Sequence, residues 1–346
     1  MAPRSVKLFA AGVAAAVGAA WVAKRVYAAL EAERTRLKPL TYEECAAACA
    51  AGRDALVAAL QHRGGLLPQQ RPAAWLLLRR GDAAADATTY EALQRRCDEA
   101  QADSEYAAAC RVIAADVPRT PLEGAGDPEA TRLRLTRLLR AYALHDTAVG
   151  YAQGMSELAA CVLRVYPDDE PRAFAAFANL IDSQRASFLA DVNAGVCSRL
   201  RTLGALLART DAAVGTHLLY LRAQECHWAL RPMAVLLLRE LGTRDALTLF
   251  DVLLVRARHV YACCCMGGAR SRRAFVAAAS QVSRANFLEL CVAAALLRER
   301  RAILRAEGVD DLLHVVNDLA GRISVGRLLA DARALQARLA RTKLAD

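Results

Sequence analysis

Two short segments of the chain place side chains that could assist phosphoryl transfer on stiffened turns. In the first, Arg119 follows Asp116 by three positions and comes directly after Pro118. In the second, Gln153 lies between two glycines. The loose transition state of phosphoryl transfer spreads negative charge that an arginine can neutralise, and it needs a water that a glutamine can orient. The two segments together therefore indicate one part of a phosphoryl-transfer site.

Neighbouring residues have candidate supporting roles. Asp116 could accept a hydrogen bond from Arg119 and aim it. Pro118 cannot continue a helix and restricts the residue before it, so a helix should end before the arginine. Tyr151 either braces the glutamine turn or packs as an aromatic side chain beside Gly150. Taken alone, an arginine three residues after an aspartate could also be a salt bridge and nothing more.

Composition excludes several self-contained phosphate chemistries. The chain has 346 residues, and there is no lysine between Lys38 and Lys343. The P-loop of NTPases, the protein kinases and the Schiff-base enzymes each depend on a lysine within the domain. Any phosphoryl chemistry must therefore rely on arginine and on a nucleotide that a partner brings.

The apolar pattern predicts an all-α protein. Hydrophobic residues make up 55% of the chain, while aromatic residues make up 5%, a composition that favours helices over strands. Apolar residues recur at helical spacing in residues 135–142 and 246–254. Trp228 and the apolar run that follows it, including Leu237 and Leu238, predict a core helix.

The N-terminal segment, residues 1–40, contains an uncharged, alanine-rich run at residues 8–23 with basic residues on both sides. A helix that spans a bilayer needs about twenty apolar residues, so the run is short for one. It could be a signal anchor, a cleaved secretory signal or an organellar transit peptide. We favour a membrane anchor or membrane-proximal helix over a peripheral alanine-rich helix.

The rest of the chain is predicted to be one domain at residues 41–332 with a helical tail at residues 333–346. A basic insertion near residues 255–285 has no acidic residue. It is either a solvated loop or a contact for anionic lipid or an acidic partner. The net charge of +10 is scattered among arginines, which favours a solvated surface and no nucleic-acid binding.

The eleven cysteines form no CxxC pair. Their odd number and scatter predict reduced thiols in the cytosol. Three cysteines are adjacent at residues 263–265, but neighbouring side chains cannot easily converge on one metal, so a zinc site there is disfavoured.

The two opening segments resemble the IxxDxxRT and YxQGM signatures of the TBC domain, the family of GTPase-activating proteins for Rab GTPases. Residues 65–75 resemble the family's entry motif, in which Trp75 follows Arg71 by four positions. The likeness extends over roughly residues 65–329. Two positions depart from the family pattern: Ala152 replaces a residue that is commonly larger or a cysteine, and Phe250 stands where tryptophan is usual.

The resemblance implies an all-α, V-shaped, multi-helix domain whose groove receives the switch regions of a GTP-bound Rab GTPase. It also implies two catalytic fingers, in which Arg119 reaches the β- and γ-phosphate oxygens and Gln153 positions the attacking water. The supporting residues would be Asp116, Tyr151, Thr120, Gly150 and Gly154, and Tyr151 could instead contact the GTPase. GTP and Mg²⁺ would be bound by the GTPase, so the protein itself is expected to need no cofactor.

The expected role is regulation of vesicle traffic in the cytoplasm, at the surface of an endomembrane. Two alternatives stay open. One is a non-catalytic helical adaptor that binds Rab GTPases or other trafficking proteins. The other is a purely structural scaffold tethered to a membrane.

Overall fold

The computed structural model describes residues 38–61, 63–79, 83–100, 104–122, 127–189, 195–256 and 287–342. Within these ranges every regular element is a helix and there is no strand, as the composition predicts. The apolar run at residues 8–23, the three cysteines at residues 263–265 and nearly all of the basic insertion lie outside the described residues.

In chain order, the first eight α-helices of the described residues are α1 (Tyr42–Ala50), α2 (Arg53–Gln61), α3 (Arg71–Leu78), α4 (Ala83–Glu99), α5 (Ser104–Asp116), α6 (Pro128–His145), α7 (Met155–Val165) and α8 (Glu170–Ser183). They are followed by α9 (Val196–Thr210), α10 (Ala212–Tyr220), α11 (Leu230–Ala234), α12 (Leu238–Leu241), α13 (Thr243–Arg256), α14 (Phe287–Arg298), α15 (Arg300–Ile303), α16 (Val309–Asn317) and α17 (Val325–Thr342). Short 3-10 turns lie at Pro68–Gln70, Val117–Arg119, Arg185–Ser187 and His227–Ala229.

Local sequence explains where several helices begin. Thr41 caps α1 by accepting from the Glu44 amide at 3.2 Å, and the Glu44 carboxylate accepts from the Thr41 amide at 2.8 Å. This reciprocal pair satisfies two backbone donors that the helix leaves free. Asp127 caps α6 with a single hydrogen bond, which its carboxylate accepts from the Glu129 amide at 2.9 Å.

The helices pack as two groups that share a bridging helix. In the first group α6 packs against α4, α5 and α7, and in the second α14 packs against α9 and α17. Helix α13 contacts α8 on one side and α17 on the other. The stripe predicted at residues 135–142 is confirmed, because Leu135, Leu138, Leu139 and Tyr142 are all buried in the first group.

The prediction of one continuous core helix after Trp228 is wrong, although the apolar side chains of this segment are buried. Trp228 lies in a 3-10 turn, α11 ends at Ala234, and Leu236 and Leu237 adopt positive φ angles of 52° and 60° before α12 begins. Such a left-handed conformation is rare for residues with a side chain. The apolar spacing identified which residues are buried, but burial does not require a continuous helix.

Two buried arginine–carboxylate pairs connect helices that are far apart in sequence. Arg71 of α3 pairs with Asp251 of α13, with its Nε atom 3.1 Å from Oδ2. Arg199 of α9 donates to both carboxylate oxygens of Glu289 in α14, at 2.5 and 2.8 Å. These contacts fix how the helices around the site are placed, because buried charges need their partners.

The C-terminal helix runs without a break through position 333, where the predicted tail begins. It packs against α14, and Leu329 and Ala332 are completely buried. None of the described helices is both long enough and apolar enough to cross a bilayer.

Candidate functional site

Arg119 lies at the end of a helix that stops where Pro118 predicts. Helix α5 ends at Asp116, and one 3-10 turn carries the arginine beyond it. The Arg119 Nε atom donates to the Ala115 carbonyl at 2.9 Å, and Nη2 donates to Asp116 Oδ1 at 2.8 Å. Its side chain is nevertheless 70% exposed. The guanidinium is therefore oriented by two hydrogen bonds and is still accessible to a ligand.

Thr120 closes the turn behind the arginine. Its side chain is buried, and its hydroxyl donates to the Asp116 carbonyl at 2.9 Å. The Thr120 amide donates to the Val117 carbonyl at 3.2 Å. These two bonds anchor the segment on the C-terminal side of Arg119, which limits the positions that the arginine can reach.

Gln153 lies in the tight turn between α6 and α7. The amides of Val149 and Gly150 both donate to the Asp146 carbonyl, at 3.1 and 2.7 Å. The two glycines have positive φ angles, 60° at Gly150 and 97° at Gly154, so the turn uses conformations that glycine adopts without strain. The Gln153 side chain is exposed immediately before α7 begins.

A substitution at Gly154 should show how closely this turn is packed. A Cβ atom there would meet Val235 Cγ1 at 2.8 Å, whereas a Cβ at Gly52, which has a similar φ of 94°, would meet nothing within 4 Å. Both substitutions impose backbone strain of about 1–3 kcal/mol. We therefore expect Gly154→Ala to lower the free energy of unfolding more than Gly52→Ala, as measured by urea denaturation. Equal losses would contradict the close contact.

Asp116 connects the arginine segment to the glutamine segment. Its Oδ1 atom accepts from Arg119, while its Oδ2 atom accepts from the Tyr151 hydroxyl at 2.9 Å. Burial raises the pKa of Tyr151 well above its usual value, and the Asp116 carboxylate raises it further, so the phenol stays a hydrogen-bond donor. Tyr151 can therefore both brace the glutamine turn and pack as an aromatic side chain, because its hydroxyl bonds to Asp116 and its ring is part-buried.

The two candidate finger residues open into one cavity of about 760 Å³. The polar part of its lining includes Thr120 and Ser156. Its apolar part includes Trp228, Leu230, Val235, Leu313 and Val316. Leu230 and Leu313 are exposed there, and exposed apolar surface beside polar groups is typical of a protein-binding groove.

Sequence reasoning assigned no role at the site to several charged residues of this cavity. Arg239 donates to both carboxylate oxygens of Glu157, at 2.9 and 2.5 Å, and this bond raises the pKa of Arg239. Arg231 donates from Nε and Nη2 to the fully buried Glu240, at 3.0 and 2.9 Å. The partners in the first pair are 82 positions apart, so no local pattern could have indicated it.

The described part of the chain contains no group of three or more histidine, cysteine, aspartate or glutamate side chains arranged to hold a metal ion. The polar side chains at the cavity are three arginines, two carboxamides and several hydroxyls, together with Asp116, Glu157 and His227. The arginines and carboxamides are suited to binding phosphate oxygens and water.

The described helices form an α-helical domain in which Arg119 and Gln153 line one cavity. The sequence model of the Rab-GTPase-TBC domain matches residues 68–270, more than half of the chain, and the protein belongs to this family. It is 29% identical over 252 residues to Rab GTPase-activating protein 22 of Arabidopsis thaliana. That alignment covers 69% of this chain and 44% of the relative, so the chain spans less than half of the relative's length.

Solved structures of the family share the fold. The Ypt/Rab-GAP domain of Gyp1p is similar with a TM-score of 0.62 and 17% identity, covering 83% of this chain and 93% of that one. The Chlamydomonas flagellar RabGAP TBC domain is similar with a TM-score of 0.57 and 19% identity, covering 82% and 85%. The all-α TBC fold implied by the sequence resemblance is therefore confirmed.

Proposed function

We propose that this chain is a GTPase-activating protein for a Rab-family small GTPase. The observation that carries the proposal is that Arg119 and Gln153 line one open cavity in a chain of the Rab-GTPase-TBC domain family. The guanidinium and the carboxamide come from separate segments, and the shared partner Asp116 holds those segments together.

In the proposed mechanism the two fingers act on GTP that the partner GTPase holds. Arg119 donates from its planar fork to the β- and γ-phosphate oxygens, where it neutralises the charge that develops in the transition state. Gln153 orients the attacking water and takes the place of the GTPase's own glutamine. Asp116 aims Arg119, and Tyr151 keeps the glutamine turn beside it.

The protein would need no cofactor of its own, because GTP and its Mg²⁺ would be bound by the GTPase. We propose that it regulates vesicle traffic at the cytoplasmic surface of an endomembrane. The apolar run at residues 8–23 would supply a membrane contact, and it lies outside the described residues.

The direct test is multiple-turnover GTP hydrolysis by a panel of GTP-loaded Rab GTPases, with and without catalytic amounts of the full chain. We expect faster phosphate release with at least one Rab GTPase and none from the chain with GTP alone. Stable GTP-dependent binding without a rate increase would instead support a non-catalytic adaptor.

Removal of the Gln153 carboxamide should slow the chemical step. We expect Gln153→Ala to lower the stimulated kcat by about 10²- to 10³-fold, the usual effect of losing one group that stabilises or orients the transition state. The thermal midpoint should change little, because the side chain is exposed. Gln224→Ala is a matched control, since Gln224 is exposed and lies outside the cavity. An unchanged kcat for Gln153→Ala would contradict the water-orienting role.

A further inference from the structure

The glutamine turn is held from a second side by residues 235–239, which lead from the end of α11 into α12. Val235 lies against Gly154, where an added Cβ atom would come within 2.8 Å of its Cγ1 atom. Four residues after Val235, Arg239 pairs with Glu157 in the first turn of α7. The start of α7 is thus contacted at two points by one short segment.

Glu157 is well placed to transmit this contact to Gln153. It lies four residues after Gln153, and both line the same cavity. Its amide donates to the Gly154 carbonyl at 3.2 Å, and the Met155 amide donates to the Ala152 carbonyl at 3.1 Å. The backbone on both sides of Gln153 is therefore bonded to the helical turn that carries Glu157.

The geometry of the Arg239–Glu157 pair restricts the movement of the two side chains. Arg239 offers two parallel donors to the two carboxylate oxygens, which fixes orientation as well as distance. The Glu157 side chain is only 11% exposed, while that of Arg239 is 54% exposed. A carboxylate in the first turn is also favoured by the helix dipole.

The segment that presents Arg239 is strained, and its surroundings hold it in place. Leu236 and Leu237 are consecutive residues with positive φ, and both are completely buried. Strain of this kind persists where packing over-determines the backbone, and it is concentrated at functional sites. Glu240, next to Arg239, is also buried and binds Arg231, so the segment is anchored on its far side.

We infer that Arg239 is a positioning residue that holds Gln153 in its productive place through Glu157. Its Nε and Nη2 donors both bind the Glu157 carboxylate, which ties Arg239 to the first turn of α7. Tyr151 and Asp116 hold the turn from the α5 side, and Arg239 holds it from the α12 side. The kinetic part of this inference rests on the proposed function, whereas the structural part does not.

Hydrogen exchange of the full chain tests the structural part without any GTPase. We expect Arg239→Gln to speed amide exchange in residues 153–158, because the first turn of α7 loses its contact with α12. Arg300→Gln is the matched control: it removes a similarly exposed arginine from a pair with Asp211, outside the cavity. Unchanged exchange in residues 153–158 would overturn the inference, whatever the activity of the protein.

Steady-state kinetics with an active Rab GTPase tests the coupling to Gln153. We expect Arg239→Gln to lower kcat roughly 10- to 100-fold with little change in KM, as small misplacements of a reacting group do. Glu157→Gln should have the same effect, and the double variant should lose no more than either single one. In a Gln153→Ala background, Arg239→Gln should cause no further loss in kcat.

Two kinetic outcomes would overturn the inference. If Arg239→Gln lowers kcat by the same factor with and without Gln153, Arg239 acts independently of the glutamine. If it raises KM and leaves kcat unchanged, it is a docking contact. If the unmodified chain stimulates no GTPase, the proposed function fails and the exchange measurement alone decides whether Arg239 positions the turn.

Discussion

Replacing Arg119 with alanine should abolish most of the stimulated GTP hydrolysis while leaving the fold intact. An arginine finger is worth about 10³- to 10⁵-fold in rate, or roughly 4–7 kcal/mol of barrier. The Arg119 side chain is 70% exposed and contributes no buried apolar packing, so its loss should barely change the thermal midpoint. The measurement is single-turnover hydrolysis with saturating protein, together with a circular dichroism melt.

The magnitudes also show why the salt bridge with Asp116 should not keep Arg119 from phosphate. The pair joins an arginine that is 70% exposed to a carboxylate that is 10% exposed, and solvent screening at the arginine keeps its contribution to about 1 kcal/mol, less than an arginine finger contributes in the transition state. Asp116 retains its hydrogen bond from Tyr151 if the arginine extends toward phosphate. The Arg119–Asp116 pair can therefore orient the finger without trapping it.

Two further variants make this prediction specific. Arg119→Lys keeps the charge but loses the planar fork, so it should remain far less active than the unmodified chain. Arg111→Ala removes an exposed arginine from α5, the helix that precedes Arg119, outside the cavity, and should leave the rate unchanged. If Arg119→Ala retains full stimulation, the proposed mechanism is wrong.

Replacing Asp251 with asparagine should cause the largest loss of stability. The carboxylate is completely buried and accepts from the Leu66 amide at 2.9 Å, Trp75 Nε1 at 2.7 Å and Arg71 Nε at 3.1 Å. Asparagine has nearly the same shape but leaves the buried charge of Arg71 without its counter-charge. Such a loss costs about 3–5 kcal/mol, and guanidinium denaturation measures it.

The controls for Asp251 separate the buried charge from a general effect of substitution. Arg172→Ala breaks an exposed pair with Asp169 and should cost no more than about 1 kcal/mol. The double variant Arg71→Met/Asp251→Asn should recover part of the stability, because it removes the buried arginine that Asp251→Asn leaves without a counter-charge, while the asparagine oxygen can still accept a hydrogen bond. A loss below about 1 kcal/mol for Asp251→Asn would contradict the structural role.

Local contacts of the site were predictable from the sequence, whereas its long-range contacts were not. The Asp116–Arg119 bond joins residues three positions apart, and the end of α5 follows from Pro118, so neighbouring residues suffice to predict both. The hydroxyl of Tyr151 reaches Asp116 across 35 positions, and that partner could not be read from either motif.

The contact partner of the entry motif at residues 65–75 could not be predicted from the sequence either. Its arginine and tryptophan were recognised as a family pattern, but both serve one buried carboxylate about 180 positions further on. The break between α11 and α12 was missed for a related reason. Apolar spacing reports which side chains are buried, while the tertiary packing around Leu236 and Leu237 selects their left-handed backbone.

The sequence by itself determined the all-α class, the family resemblance, the two candidate finger residues and the lack of a lysine-based phosphate chemistry. These properties depend on residue type and on spacing within one or two helical turns. Only the tertiary structure brought Arg119 and Gln153 to one cavity, paired Arg239 with Glu157 and joined Arg71 to Asp251. Such pairings depend on how helices pack, and packing energy is spread over many residues that no short motif contains.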